Sequence, residues 1–123
     1  MAFPFITAEQ AAELVNNGDN VGFSGFTAAG TPKFVAPAIA AKAKKEHEAG
    51  RPFKINVFTG ASTNDYIDGE LARADAVNFR TPYQSCKDTR ARLNAHEINY
   101  CDIHLFSLRR TSATDSSARW TWW

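Results

Sequence analysis

Three short apolar runs, each opening into a loop of small and polar residues, constrain this chain more than any other feature. The runs span residues 20–23, 54–59 and 75–80, and the loops after them read SGFTAAG (24–30), GASTN (60–64) and TPYQS (81–85). Runs this short and this apolar fit strands buried on both faces of a parallel sheet. In an open α/β sheet, ligands sit outside the carboxyl ends of such strands. Three loops of Gly, Ser and Thr there make a rim rich in backbone N–H groups and hydroxyls.

Helical patterns fill the gaps between the runs. Thr7 to Gln10 is a capping box, and Ala11, Ala12, Leu14 and Val15 follow at helical spacing until Asn17-Gly18 ends the segment. Thr31-Pro32 reads as N-cap and first turn of a second helix, with Phe34, Val35, Ala38, Ile39 and Ala43 as its apolar stripe. A short helix is expected over 67–74, a basic-faced one over 87–97, and a fourth strand over 100–105. Strands alternating with helices at this interval predict an α/β fold: an open, mostly parallel sheet with right-handed crossovers and helices on both faces.

At 123 residues the chain is one domain or a piece of one. A net charge of +1 gives no reason to expect nucleic acid or an acidic membrane as partner. No apolar stretch approaches the ~20 residues of a membrane span. The first residues carry no basic, signal-like segment, so a cytoplasmic protein is expected. Cys86 and Cys101 match no zinc or redox spacing and are expected to be two reduced thiols.

The texture changes after Leu105. Residues 111–117 hold one Ala among Thr, Ser and Asp, and all three tryptophans, Trp120, Trp122 and Trp123, stand in the last four positions. A membrane-interface or partner anchor is one account. Favoured here is a non-native tail, as after a reading-frame error, because the α/β pattern breaks off just after a strand. The expected organisation is therefore an incomplete domain over 1–105 and a tail over 106–123 that contributes nothing to the fold.

The first loop is not a Walker loop, since no Gly-Lys-Ser/Thr follows, and its glycine spacing is not that of a dinucleotide fingerprint. A tight connection and an anion site at the following helix both remain open. His47, in a charged helix, is expected to be solvated, and His104 to be a strand histidine. Asp65, Asp68 and Glu70 form an acidic cluster, for which turn and helix N-terminal charges are preferred to a metal site. Lys87, Arg90 and Arg92 present either a solvated face or contacts to ligand phosphates.

Taken together, the segment 21–27, Gly30 to Lys33, Thr59 to Ser62, Asp68-Gly69 with 71–74, Arg80 with 82–85, and 98–105 resemble the amino-terminal half of the acetyl-CoA hydrolase/transferase family, coenzyme A transferases of the acetate- and succinate-using kind. Separated motifs in order, from about Ile6 to Leu105, carry the resemblance. It implies the first half of a two-domain coenzyme A transferase fold, with the active site between two similar α/β domains. It implies catalysis through a glutamyl-CoA thioester formed on a glutamate of the carboxyl-terminal half, which has no counterpart in this chain. Catalytic residues are thus expected to be absent here. The implied substrates are acyl-CoA and a small carboxylate, with no cofactor beyond the coenzyme A thioester itself. The implied partners are the missing carboxyl-terminal domain and a second copy in a homodimer. Ser62 and Ser85 match family positions that contact the small carboxylate or acyl group, and Gly25, Gly60 and Gln84 lie in the same loops. The alternatives are a non-catalytic anion- or nucleotide-binding module and an inactive fragment.

Overall fold

Five strands, every pair parallel, set the frame of this computed structural model, which describes residues 4–61, 64–81, 83–102 and the backbone of 121–122. They are β1 (Asn20–Gly22), β2 (Ile55–Phe58), β3 (Val77–Thr81), β4 (Asn99–Tyr100) and β5 (Thr121–Trp122). Their order is β4-β3-β2-β1-β5. The helices are α1 (Ala8–Glu13), α2 (Val35–Glu48), α3 (Glu70–Arg73), preceded by one π-helical turn (Asp65–Gly69), and α4 (Lys87–Asn94). The α/β class and the open parallel sheet are as expected. Within the segment expected to add nothing to the fold, Thr121–Trp122 pairs with β1. Residues 103–120, His104 among them, fall outside the described residues.

From β1 to β4 each new strand is added on the same side of the last. Right-handed crossovers then put every helix on one face. The core agrees: Val21, Ile55, Val57 and Val77 join Ala36, Ile39, Ala40 and Ala43 of α2, Ile67 of the π turn and Leu71 of α3 in one buried cluster. Among the described residues, therefore, the expected helical layer covers one face. The other carries a ladder of side-chain amides. Asn56 Nδ2 donates to Asn20 Oδ1 at 2.9 Å, and Asn78 Nδ2 donates to Asn56 Oδ1 at 2.8 Å. Further along that face the Phe58 and Phe79 rings meet at 5.6 Å.

A one-residue register shift decides what β3 shows to each face. Ile55 pairs with Val77 but Asn56 pairs with Phe79, so Asn78 is extra. Strict alternation would have sent Phe79 inward and Arg80 outward. The extra residue reverses both, as bulges do: Phe79 joins Phe58, and Arg80 turns into the helical layer with 1% of its surface exposed.

The capping box forms as read: Thr7 Oγ1 accepts from Gln10 N–H, and Gln10 Oε1 accepts from Thr7 N–H. The second helix differs. It starts at Val35 with Phe34 at the cap, not at Thr31-Pro32. Pro37 gives the reason. In a helix begun at Pro32 it would sit in the interior, lacking an N–H and clashing with a carbonyl; from Val35 it falls in the tolerant first turn. The stripe shifts accordingly: Phe34 is 77% exposed, while Ala36, Ile39, Ala40 and Ala43 are buried. His47 is also not simply solvated. It is half-buried, and its Nε2 lies 3.0 Å from the Phe53 carbonyl.

Helices α2, α3 and α4 end alike. Gly50, Asp75 and His96 take left-handed conformations (φ 74°, 53° and 59°). The next N–H in each case, from Arg51, Ala76 and Glu97, donates five residues back to Glu46, Leu71 and Arg92 carbonyls. This is the Schellman closure, which satisfies the last helical carbonyls.

Helix α1 has no such closure, and α2 supplies one. Lys42 Nζ donates to the Ala12, Glu13 and Val15 carbonyls at 3.2, 3.1 and 2.8 Å. A cation at a helix C-terminus is worth up to about 2 kcal/mol when partly buried. Lys42→Met should therefore lower unfolding free energy by about 1–2 kcal/mol in a urea titration, whereas Lys44→Met, on the exposed face, should change it by less than about 0.5 kcal/mol.

Candidate functional site

The loops after β1, β2 and β3 meet at the carboxyl edge of the sheet. The β1 loop folds on itself: Ser24 Oγ donates to the Gly30 carbonyl at 2.8 Å, and Phe26 and Ala29 exchange backbone hydrogen bonds at 3.0 and 3.1 Å. Its backbone is strained. Gly25 and Gly30 sit at φ 133° and 67°, which glycine tolerates. Thr27 sits at φ 55°, an outlier for a β-branched residue. Held strain of this kind clusters at functional sites. The Thr27 position carries no sequence signal, since nothing in the string SGFTAAG marks which residue turns left-handed.

The first and second loops touch backbone to backbone. A Cβ on Gly60 would lie 2.0 Å from the Gly25 carbonyl oxygen, and Thr27 N–H donates to the Ala61 carbonyl at 3.0 Å. Gly25 and Gly60 are thus brought together. Gln84 and Ser85 stand in the third loop, after the neighbouring strand β3, with Gln84 buried and Ser85 exposed. Ser62 falls outside the described residues.

Arg80, which the alternation of β3 had hidden, joins the second and third loops. Its Nε donates to Asp68 Oδ1 at 2.7 Å and Nη2 to Asp68 Oδ2 at 3.2 Å. Nη2 also reaches the Gly60 carbonyl at 3.3 Å, and Nη1 donates to the Thr81 carbonyl. Asp68 is 3% exposed, so both charges are out of water. Thr89 Oγ1 of α4 donates to the Asp68 carbonyl at 3.1 Å and ties that helix to the same point. Beside this pair the Thr59 hydroxyl is buried with no hydrogen-bond partner among the described residues.

The acidic cluster of the sequence therefore serves three arginine contacts. Asp68 holds Arg80, while Asp65 and Glu70 hold Arg73, which also reaches Asp88 of α4 at 2.7 Å. Of the basic residues of α4, Arg92 pairs with Asp75 and Glu97 at 2.7 and 2.8 Å. Lys87 and Arg90 are exposed. Cys86 and Cys101 are free thiols. The six glutamates, at 9, 13, 46, 48, 70 and 97, all lie on helices or just past one, and none belongs to the three loops.

Exposed aromatics gather at this edge: Phe26, Phe34, Tyr66, Tyr83 and Tyr100 are between 47% and 77% exposed. Chemically, the edge sets glycine-lined backbone and the exposed Ser85 inside an apolar rim.

An open parallel α/β domain with a strained three-loop rim at its carboxyl edge is the class that fold and site define. The family model of the acetyl-CoA hydrolase/transferase N-terminal domain matches residues 3–114, so the chain belongs to that family. The match continues past Leu105 into the segment read as tail. The chain is 44% identical over 100 residues to a propanoyl-CoA:succinate CoA transferase of Escherichia coli and 42% identical over 100 residues to a succinyl-CoA:acetate CoA-transferase of Clostridium kluyveri, in each case over 81% of its own length. It is 34% identical over 98 residues, 80% of its length, to an acetyl-CoA hydrolase of Saccharomyces cerevisiae. It spans only about a fifth of these relatives, 20%, 18% and 18% of their lengths. Among solved structures, RipA from Yersinia pestis shares the fold, with a TM-score of 0.64 at 17% identity, over 92% of this chain and 27% of that one.

Two tests address this edge. Arg80→Met leaves Asp68 buried without its partner and should cost about 3–5 kcal/mol in a denaturant titration. Gly60→Ala sets a methyl against the Gly25 backbone, not against a movable side chain, and should cost about 1–3 kcal/mol.

The Arg73 cluster sets an acid dependence. Its guanidinium, by hydrogen bonding, holds the Asp65 carboxyl below its ordinary range. The unfolded chain then binds this proton more readily than the folded one, so the pair stabilises above the unfolded pKa of about 3.9 and its contribution is lost as pH falls through the lower folded value. The pair is largely exposed, so the effect is limited to about 1 kcal/mol. In denaturant titrations from pH 6 to 2.5, Asp65→Asn should remove that part of the loss.

Proposed function

We propose that this chain forms the substrate-holding amino-terminal part of an acyl-CoA hydrolase or coenzyme A transferase. In the whole enzyme, coenzyme A moves between acetyl-CoA or succinyl-CoA and a small carboxylate through a glutamyl-CoA thioester, as in acetate metabolism. Such covalent catalysis splits one hard exchange into two easier steps and needs donors for each tetrahedral oxyanion. The observation that carries the reading is the joined rim, where the Gly25 and Gly60 backbones meet and Arg80 links the second loop to the end of β3. Gly25, Gly60, Ser62, Gln84 and Ser85 are the residues assigned to the carboxylate or acyl group. The nucleophile belongs to a carboxyl-terminal domain, a reading supported by the placement of every glutamate here on a helix or just past one, away from the three loops. The exposed aromatics are surface such a domain would cover. A homodimer of the full enzyme and a cytoplasmic site of action complete the proposal; no helix among the described residues is long and apolar enough to cross a membrane. The segment 106–123 is proposed to be dispensable for the activity.

The test has two arms. Purified chain with succinyl-CoA and acetate should show no thioester exchange. The 100-residue segment matched in the E. coli relative, replaced by that of this chain, should give an active chimera. In that chimera Ser62→Ala or Ser85→Ala should weaken use of the carboxylate about ten- to a hundred-fold, the worth of a charge-assisted hydrogen bond. Exchange by the isolated chain, or chimeras with both serines replaced and kinetics unchanged, would overturn the assignment.

A further inference from the structure

Beside the edge strand β4 lies a cavity of about 400 Å³ that shares Tyr83 and Gln84 with the third loop and is otherwise walled by α4, the turn after it and the end of β4. The size falls within the range of small-molecule pockets, about 300–1,000 Å³. Three chemical functions converge on it. The first is aromatic: Tyr83 and Tyr100 line the cavity and are 56% and 62% exposed. The second is a cation free to take an anion. Arg51, Arg73, Arg80 and Arg92 all face carboxylates within 3.0 Å, whereas Arg90, which lines the cavity, pairs with no carboxylate among the described residues. The third is a carboxylate, Asp102, at the end of the strand. His96 contributes a fourth wall, set by its left-handed turn after α4.

Flat ring surfaces, one guanidinium and one carboxylate complement three parts of a single ligand class. A planar base packs on tyrosine faces. A phosphate takes the guanidinium, which suits it bidentately. Vicinal ribose hydroxyls donate to a carboxylate, the role an acidic residue has in dinucleotide sites. We infer that this cavity binds a mononucleotide, with Arg90 on the phosphate, Asp102 on the ribose and Tyr83 and Tyr100 against the base. A free 5′-nucleotide carries this diol, whereas the nucleotide end of coenzyme A has a 3′-phosphate in its place, which the Asp102 carboxylate would repel. The site stands on the cavity and its residues and does not rest on the function proposed above.

The experiment is calorimetric titration of the full chain with AMP, 3′,5′-ADP, adenosine and inorganic phosphate in turn. Saturable binding of AMP is expected, with 3′,5′-ADP, adenosine and phosphate each much weaker. Arg90→Gln, an exposed helix position with no partner to lose, should keep the melting temperature and weaken nucleotide binding about ten-fold or more. Tyr100→Leu should weaken nucleotide and adenosine alike. Tighter binding of 3′,5′-ADP than of AMP would overturn the placement of the ribose on Asp102. Absence of saturable binding at millimolar nucleotide, equal binding of phosphate alone, or unchanged affinity in Arg90→Gln would overturn the inference. An inactive chimera with intact nucleotide binding would count against the transferase reading and leave this one standing.

Discussion

A guanidinium taken out of water must be met by a carboxylate and by carbonyls, and the carboxyl edge of this sheet is arranged around that demand. Arg80 and Asp68 are almost wholly buried and bonded in two places. The attraction in such a pair barely offsets the cost of desolvating it, so its value lies less in net stability than in what it excludes. Any arrangement that moves the π turn away from β3 leaves a bare charge inside. The turn, the end of β3 and the Gly60 carbonyl are held to one geometry, and α4 is held through Thr89.

From that fixed point the rim follows. The second loop is pulled down onto Arg80, and the first loop then lies so close that only hydrogen fits at residue 60. Strain at Thr27 is tolerated because both ends of its turn are bonded, one to its own loop and one to Ala61. A rim held this rigidly has little to reorganise when a ligand binds.

The class of fold and the position of the three loops were legible in the sequence because they rest on local signals: apolar runs, a capping box, Gly- and Ser-rich loops. The start of α2 was missed because Thr31-Pro32 is a good local opening signal, while the constraint that overrides it, Pro37, acts from farther along the chain. Arg80 could not be seen. Its burial depends on one extra residue in β3, and its partner is twelve positions away in a turn that looks like ordinary surface charge. The joining of Gly25 to Gly60 was equally out of reach, for it needs the neighbouring order of β1 and β2. The amide ladder on the second face follows from strand order too, though Asn20, Asn56 and Asn78 stand plainly in the string.

The three identical helix closures are not equal in cost, and this grades the domain from one side to the other. Glycine fills the left-handed position after α2 without strain, whereas Asp75 after α3 and His96 after α4 carry a Cβ there. Asp75 is compensated by Lys54 and Arg92 at 2.9 and 2.7 Å. His96 is exposed and follows a helix whose one buried residue is Thr89. The layer is therefore tightest at α2 and loosest at α4 and the two-residue strand β4. Amide protons should exchange in that order, with the far margin opening first as a small cooperative unit while the sheet around β2 stays closed.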